Sequence, residues 1–84
     1  MITGIRKGKD GSIRYFNKEG FLHRENGPAV IIPKGPRIWF INGLRHRTDG
    51  PAYIASDGYK EWHIEGKQYE PLVWMIMTWK TNGL

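Results

Sequence analysis

Eighty-four residues make one domain at most, and a domain of that size buries only a modest core. The chain has no cysteine, so neither a disulfide nor a thiolate metal site can staple it. Thirteen Lys and Arg against eight Asp and Glu give a formal charge of +5. That charge sits at the front, with ten basic and four acidic groups in residues 1–56 and three and four in residues 57–84. Such a half could meet nucleic acid, anionic lipid or an acidic protein, or serve solubility alone. The opening "MITGIRKGKDG" has no long apolar run of the signal-peptide kind, and the longest apolar run, "LVWMIM", is far too short to span a bilayer. A single domain over 1–84 in a reducing, cytoplasmic setting is the expectation.

In chain order, the first marks are Gly11, Tyr15, Gly20 and Leu22-His23, a partial unit with the turn "NKEG". Two fuller units follow. "HRENGPAVI" from His23 is written again 23 residues later as "HRTDGPAYI" from His46, and the match continues through Gly35 and Gly58, Trp39 and Trp62, Gly43 and Gly66. A fixed period is settled before any other feature, because each repeat must form the same local structure. "PAVII" and "PAYIA" read as short strands opened by a proline, whose missing N–H costs little at that place. "RIWFI" and "KEWHI" are aromatic and β-branched, as strands prefer. "PKGP" and "SDGY" are turn clusters, and so are the "NG", "DG" and "EG" pairs, where glycine is expected to supply a positive φ. Strand alternation puts Tyr15, Trp39 and Trp62 on one face beside Ile41 and Ile64. Phe16, Phe40, Tyr53 and Tyr59 fall on the other. One hairpin cannot bury such a face alone, so the units are expected to stack as tiles of an antiparallel sheet over residues 11–69.

The tail "EPLVWMIMTWKTNG" changes period. Leu72, Met75, Ile76 and Trp79 fall at i, i+3, i+4 and i+7, which predicts a helix over 70–81 with Pro71 in its first turn and Asn82-Gly83 as its stop. The four are expected to pack on the sheet and cap it. Trp74 then points away, with Met77 and Val73 between. A helix apolar almost all round is buried on more than one side. Either a deep groove in the sheet swallows it, or Trp74 and Met77 meet a protein partner or a second copy of the chain.

Trp-x-x-Asn-Gly followed by His, spaced about 23 residues apart, resembles MORN repeats. The form "NGxxHRxDGPA" is more closely similar to MORN-like variants of phage and bacterial accessory proteins, some of them antitoxin-like. The likeness covers roughly residues 11–69. The sequence departs from it after the histidine, where ordinary units carry Gly and this chain carries Arg24 and Arg47. The third unit breaks the pattern with Tyr69-Glu70-Pro71. The resemblance implies an antiparallel hairpin-repeat sheet. It also implies a small phage or accessory protein that binds and modulates or inhibits a host or defence factor.

The repeated residues carry the remaining chemistry. His23 and His46 recur in successive tiles, which suits turn-fixing hydrogen bonds to backbone carbonyls better than catalysis. With His63 on another strand they lack the clustering a zinc site needs. Arg24 and Arg47 have two readings. They could bridge locally to turn carbonyls and Asp49, or form a binding edge with Arg45, Arg37, Lys34 and Arg14 that meets phosphate or an acidic protein surface. Basic residues beside exposed aromatics keep nucleic-acid binding as the alternative to protein binding. No phosphate loop, GxSxG or GxGxxG appears, and Thr3, Ser12, Thr48 and Ser56 have no convincing His and acid beside them. No enzyme and no cofactor is expected. The sequence reads as a mainly β, non-catalytic protein-interaction module.

Overall fold

The structure is a computed structural model that describes residues 4–79. The described chain is a seven-stranded antiparallel sheet, a two-stranded side hairpin and one short C-terminal helix. The sheet runs in chain order through three hairpins. Strands β1 (Gly4–Lys7) and β2 (Ile13–Phe16) form the first, β3 (Val30–Ile31) and β4 (Arg37–Ile38) the second, β7 (Tyr53–Ile54) and β8 (Lys60–Ile64) the third. Neighbouring hairpins pair through β2 with β3 and β4 with β7. The side hairpin β5 (Phe40–Ile41) with β6 (Leu44–Arg45) corresponds to the Phe16–Leu22 bridge before it and to β8 with β9 (Lys67–Tyr69) after it.

The three main hairpins turn alike. Gly8 donates to Ser12, Ile32 to Pro36 and Ala55 to Tyr59, and each loop closes with an amide returned to Gly8, Ile32 or Ala55. The side turns obey the period too. Asn42-Gly43 and Glu65-Gly66 have positive φ at both positions, the geometry whose twist matches antiparallel strands. The longer turn at Asn17 is held differently, by its own side-chain oxygen accepting from the amides of Glu19 and Phe21. The first hairpin therefore begins with β1, ahead of the Gly11 that marks the repeat in the sequence.

Two glycine pairs depart from expectation. Gly27 and Gly50 do not adopt a positive φ. A Cβ on Gly50 would meet the Arg47 guanidinium at 2.7 Å, and one on Gly27 would meet that of Arg24 at 3.1 Å. These glycines leave room for a guanidinium held against the backbone at that point, and the fit is closer at Gly50 than at Gly27.

The core is thin. Ala29, Val30 and Ala52 are its buried apolar residues, and no large side chain among the described residues is fully buried. One layer of sheet cannot enclose a ring, so the aromatic residues are covered by what lies across them. The carbonyls of Ala29 and Ala52 accept the amides of Tyr15 and Trp39, which sets each small residue beside the ring of the next strand.

Helix α1 (Pro71–Trp79) begins where Pro71 has no N–H to spare and Trp74 donates to the Glu70 carbonyl. Its expected residues 80 and 81 lie outside the described residues. Its orientation is the reverse of the one expected. Trp74 packs against Trp62 with ring centroids 6.4 Å apart, and Thr78 is buried below it. Leu72, Met75, Ile76 and Trp79 face solvent. The reason is local: Trp62 needs a cover and the Arg47 carbonyl accepts a hydrogen bond, and the Trp74 indole supplies both, donating to that carbonyl at 3.0 Å. Thr78 returns its hydroxyl to the Trp74 carbonyl, so its burial leaves no unsatisfied donor.

Candidate functional site

Three covered rings lie in register along one side of the sheet. The Arg24 guanidinium stands 4.0 Å over Tyr15, and that of Arg47 stands 4.0 Å over Trp39. The third ring, Trp62, is covered by Trp74. Each guanidinium is pinned on its free side. Arg24 donates to the Pro28 carbonyl at 3.2 Å, Arg47 to that of Pro51 at 3.0 Å, and Arg47 also donates to Asp49 at 2.8 Å. A ring face below, a glycine above and a carbonyl at the rim make a slot for a planar cation. Arg fits it because the guanidinium is flat and weakly hydrated.

The binding edge expected from these arginines is therefore largely consumed by the fold. Arg24 and Arg47 are stacked and bonded. Arg45 donates to Glu61 at 3.1 Å while lying 5.0 Å over Tyr53. Of the residues expected to bind, Arg37 and Met77 are exposed, and Trp74 is turned inward under α1.

The histidines act opposite to expectation. They accept from the backbone where donation was expected. Asn42 N–H donates to His23 Nδ1 at 2.9 Å, and Glu65 N–H donates to His46 Nδ1 at 3.0 Å. An accepting Nδ1 places the proton of the neutral ring on Nε2, and for His23 that atom faces Glu25 at 3.3 Å. Each imidazole thus grips the turn of the following unit. The grip is doubled by backbone bonds from Gly43 to the Leu22 carbonyl and from Gly66 to that of Arg45.

On the opposite side of the sheet lies a cluster that sequence reasoning missed. Glu61 accepts from His63 Nε2 at 2.9 Å and Arg45 at 3.1 Å through one oxygen, and from the Tyr59 hydroxyl at 3.0 Å through the other. The hydrogen bond from His63 is the largest cause holding the Glu61 carboxyl below its ordinary range, against the opposing effect of burial. The same carboxylate, as acceptor, pushes Tyr59 up. His63 is buried and its Nδ1 has no hydrogen-bond partner. Alternation along "KEWHI" could have placed Glu61 and His63 on one face, but their convergence with Arg45 depends on strand β6, sixteen residues before Glu61. A Glu–His pair is a familiar general-base arrangement. Here the carboxylate already accepts three hydrogen bonds, and the grooves at Trp39 and Trp62 are lined by other residues.

The larger of these grooves, about 740 Å³, lies between the loops that carry Arg24 and Arg47. Trp39 and Ile41 form its floor, and Glu25, Asn26, Gly27 and Asp49 lie along it. Beyond it, α1 presents Leu72, Val73, Met75, Ile76, Met77 and Trp79 to solvent. No helix among the described residues is long and apolar enough to cross a membrane. Comparison with family models, curated proteins and solved structures finds no match.

Proposed function

We propose that the chain is a MORN-like repeat module that binds another protein without catalysis, as a small phage or accessory protein that modulates or inhibits a host or defence factor. The observation that carries protein binding is the exposure of six apolar side chains on a nine-residue helix. Leu72 and Ile76 each leave 65% of their surface in water. Contiguous apolar surface of this kind marks contact sites, and Trp and Met are typical of them. The repeat reading is supported by the recurrence of turn, stacked ring and histidine grip at the 23-residue step.

Nucleic-acid binding is the weaker reading. Phosphate binding needs Lys and Arg side chains free to reach the phosphates and displace their counterions, and Arg24, Arg45 and Arg47 are engaged within the fold. The deciding experiment is an affinity pull-down from lysate of a plausible host, run with and without nuclease. A protein recovered equally under both conditions, and lost with Ile76→Glu, supports the reading. Recovery that requires nucleic acid overturns it.

A further inference from the structure

The two stacked arginines are not held alike. Arg47 donates to the Pro51 carbonyl through Nη1 and to Asp49 through Nε at 2.8 Å. Arg24 donates to the Pro28 carbonyl through Nη1. At the place of Asp49, however, its unit carries Asn26, and an amide offers Nε no charged partner. The guanidinium also sits farther from its glycine. A Cβ on Gly27 would stand 3.1, 3.2 and 3.4 Å from Cζ, Nη1 and Nε of Arg24, against 2.7, 2.9 and 3.0 Å from the same atoms of Arg47 for one on Gly50. The earlier slot thus lacks a carboxylate that the later one has, and the amide in its place is followed by glycine.

An Asn-Gly pair can lose the side-chain amide without an enzyme. The glycine nitrogen attacks Asn Cγ, so that an N–Cγ bond forms and the Cγ–Nδ2 bond breaks. The amide hydrogen leaves with Nδ2 as ammonia. Water then opens the cyclic imide, its hydroxyl going to a carbonyl carbon and its proton to the nitrogen. Opening at Cγ leaves aspartate in an ordinary backbone, and opening at the other carbonyl leaves isoaspartate. The ring closure is intramolecular, so its rate depends on whether the nitrogen is free to reach Cγ. Two such pairs lie among the described residues. At Asn42-Gly43 both reacting groups are held: the Gly43 N–H donates to the Leu22 carbonyl at 2.8 Å, and the Asn42 side-chain oxygen accepts from Asn17 at 2.9 Å. At Asn26-Gly27 neither group has such a bond among the described residues, and Asn26 stands on an exposed bend. We propose that Asn26 is a site of spontaneous deamidation, and that the aspartate it yields completes the Arg24 slot in the form of the Arg47 slot. The new carboxylate accepts from Arg24 Nε as Asp49 does from Arg47 Nε. This chemistry is independent of what the module binds.

Peptide mapping by mass spectrometry tests the first half, on the full chain held at mildly alkaline pH either folded or in urea. Conversion adds about 1 Da at the site. In the folded chain Asn26 should convert at least about tenfold faster than Asn42, and in urea, where neither pair is held, the two rates should agree within about threefold. The Asn-Gly pair at 82–83 lies outside the described residues and is mapped separately. Folded rates that agree, or a faster Asn42, overturn the proposal. Asn26→Asp tests the second half. It should raise Tm by about 1–8 °C, the range of an exposed ion pair in a domain of this size. The gain should vanish in an Arg24→Ala background and shrink in about 1 M salt. Should Arg24→Ala prevent folding, the salt arm decides alone. No gain, a gain that survives loss of Arg24, or one untouched by salt overturns the proposal.

Discussion

Substituting alanine for Gly50 tests the stacked arginine most directly. The new Cβ would stand 2.7 Å from Cζ, 2.9 Å from Nη1 and 3.0 Å from Nε of Arg47. Real Cβ atoms essentially never come as close as the first two of these, and the long side chain can give way more easily than the backbone. The guanidinium should therefore leave its slot. It then forfeits the face of Trp39, worth about 0.5–2 kcal/mol, the charge-assisted bond to the Pro51 carbonyl, about 1.5 kcal/mol, and the largely exposed Asp49 pair, at most about 1 kcal/mol. Water regains part of this, so the net loss is about 2–3 kcal/mol, or roughly 8–24 °C in Tm for a domain of this size. Gly27→Ala should cost less, because its Cβ would meet Arg24 at 3.1–3.4 Å. The decisive assay is a double-mutant cycle by thermal or urea denaturation. If Gly50 is there to admit the guanidinium, Gly50→Ala should cost almost nothing once Arg47 is alanine. Additive losses would place the strain in the backbone and refute the slot.

The remaining expectations concern the grip, the acidic cluster and the helix. His46→Gln should destabilise by about 1 kcal/mol through loss of the acceptor for the Glu65 amide. His46→Asn, which returns an oxygen to the Nδ1 position, should recover much of it, and amide exchange at Glu65 reads both. Folding holds Glu61 below its ordinary value of 4.5, so its contribution is complete above that value and is lost as pH falls through the lower folded one. Urea melts at neutral and acid pH should show that loss, and Glu61→Gln should remove it. Trp74→Ala should destabilise by roughly 2–4 kcal/mol, since a half-buried ring and its hydrogen bond both go. Equal melting of Trp74→Ala and wild type would show that α1 does not depend on its seat at Trp62.

What the sequence made legible was whatever repeats. The period, the proline-opened strands, the shared face of Tyr15, Trp39 and Trp62 and the existence of the helix follow from composition at fixed spacing. Interactions between units were not legible, because spacing does not say which partner a side chain chooses. Arg47 reads equally as a free cation or a stacked one until the ring beneath it and the glycine above are seen together. Gly50 was read as a φ residue because most turn glycines are. Its neighbour's bulk, three positions back, is what excludes a Cβ. The helix shows the limit of periodicity most plainly. Its apolar spacing favours the Leu72 face, yet a single hydrogen bond from Trp74 to the Arg47 carbonyl accompanies the opposite face turned inward. Apolar residues on all sides give the pattern no contrast with which to choose.

The histidine grip has a consequence for growth of the chain. Its acceptor belongs to one unit and its donor to the next, at the same offset each time: His23 to Asn42, His46 to Glu65. A tandem copy of residues 24–46 spliced in after His46 would offer its own Asn42 amide to the existing histidine. It would also bring a fresh histidine for the turn at Glu65. Both ends of the insertion would then find the partners the original junction had, and the Trp74 seat would move outward intact. The architecture can therefore lengthen by gene duplication with every junction satisfied from the first generation.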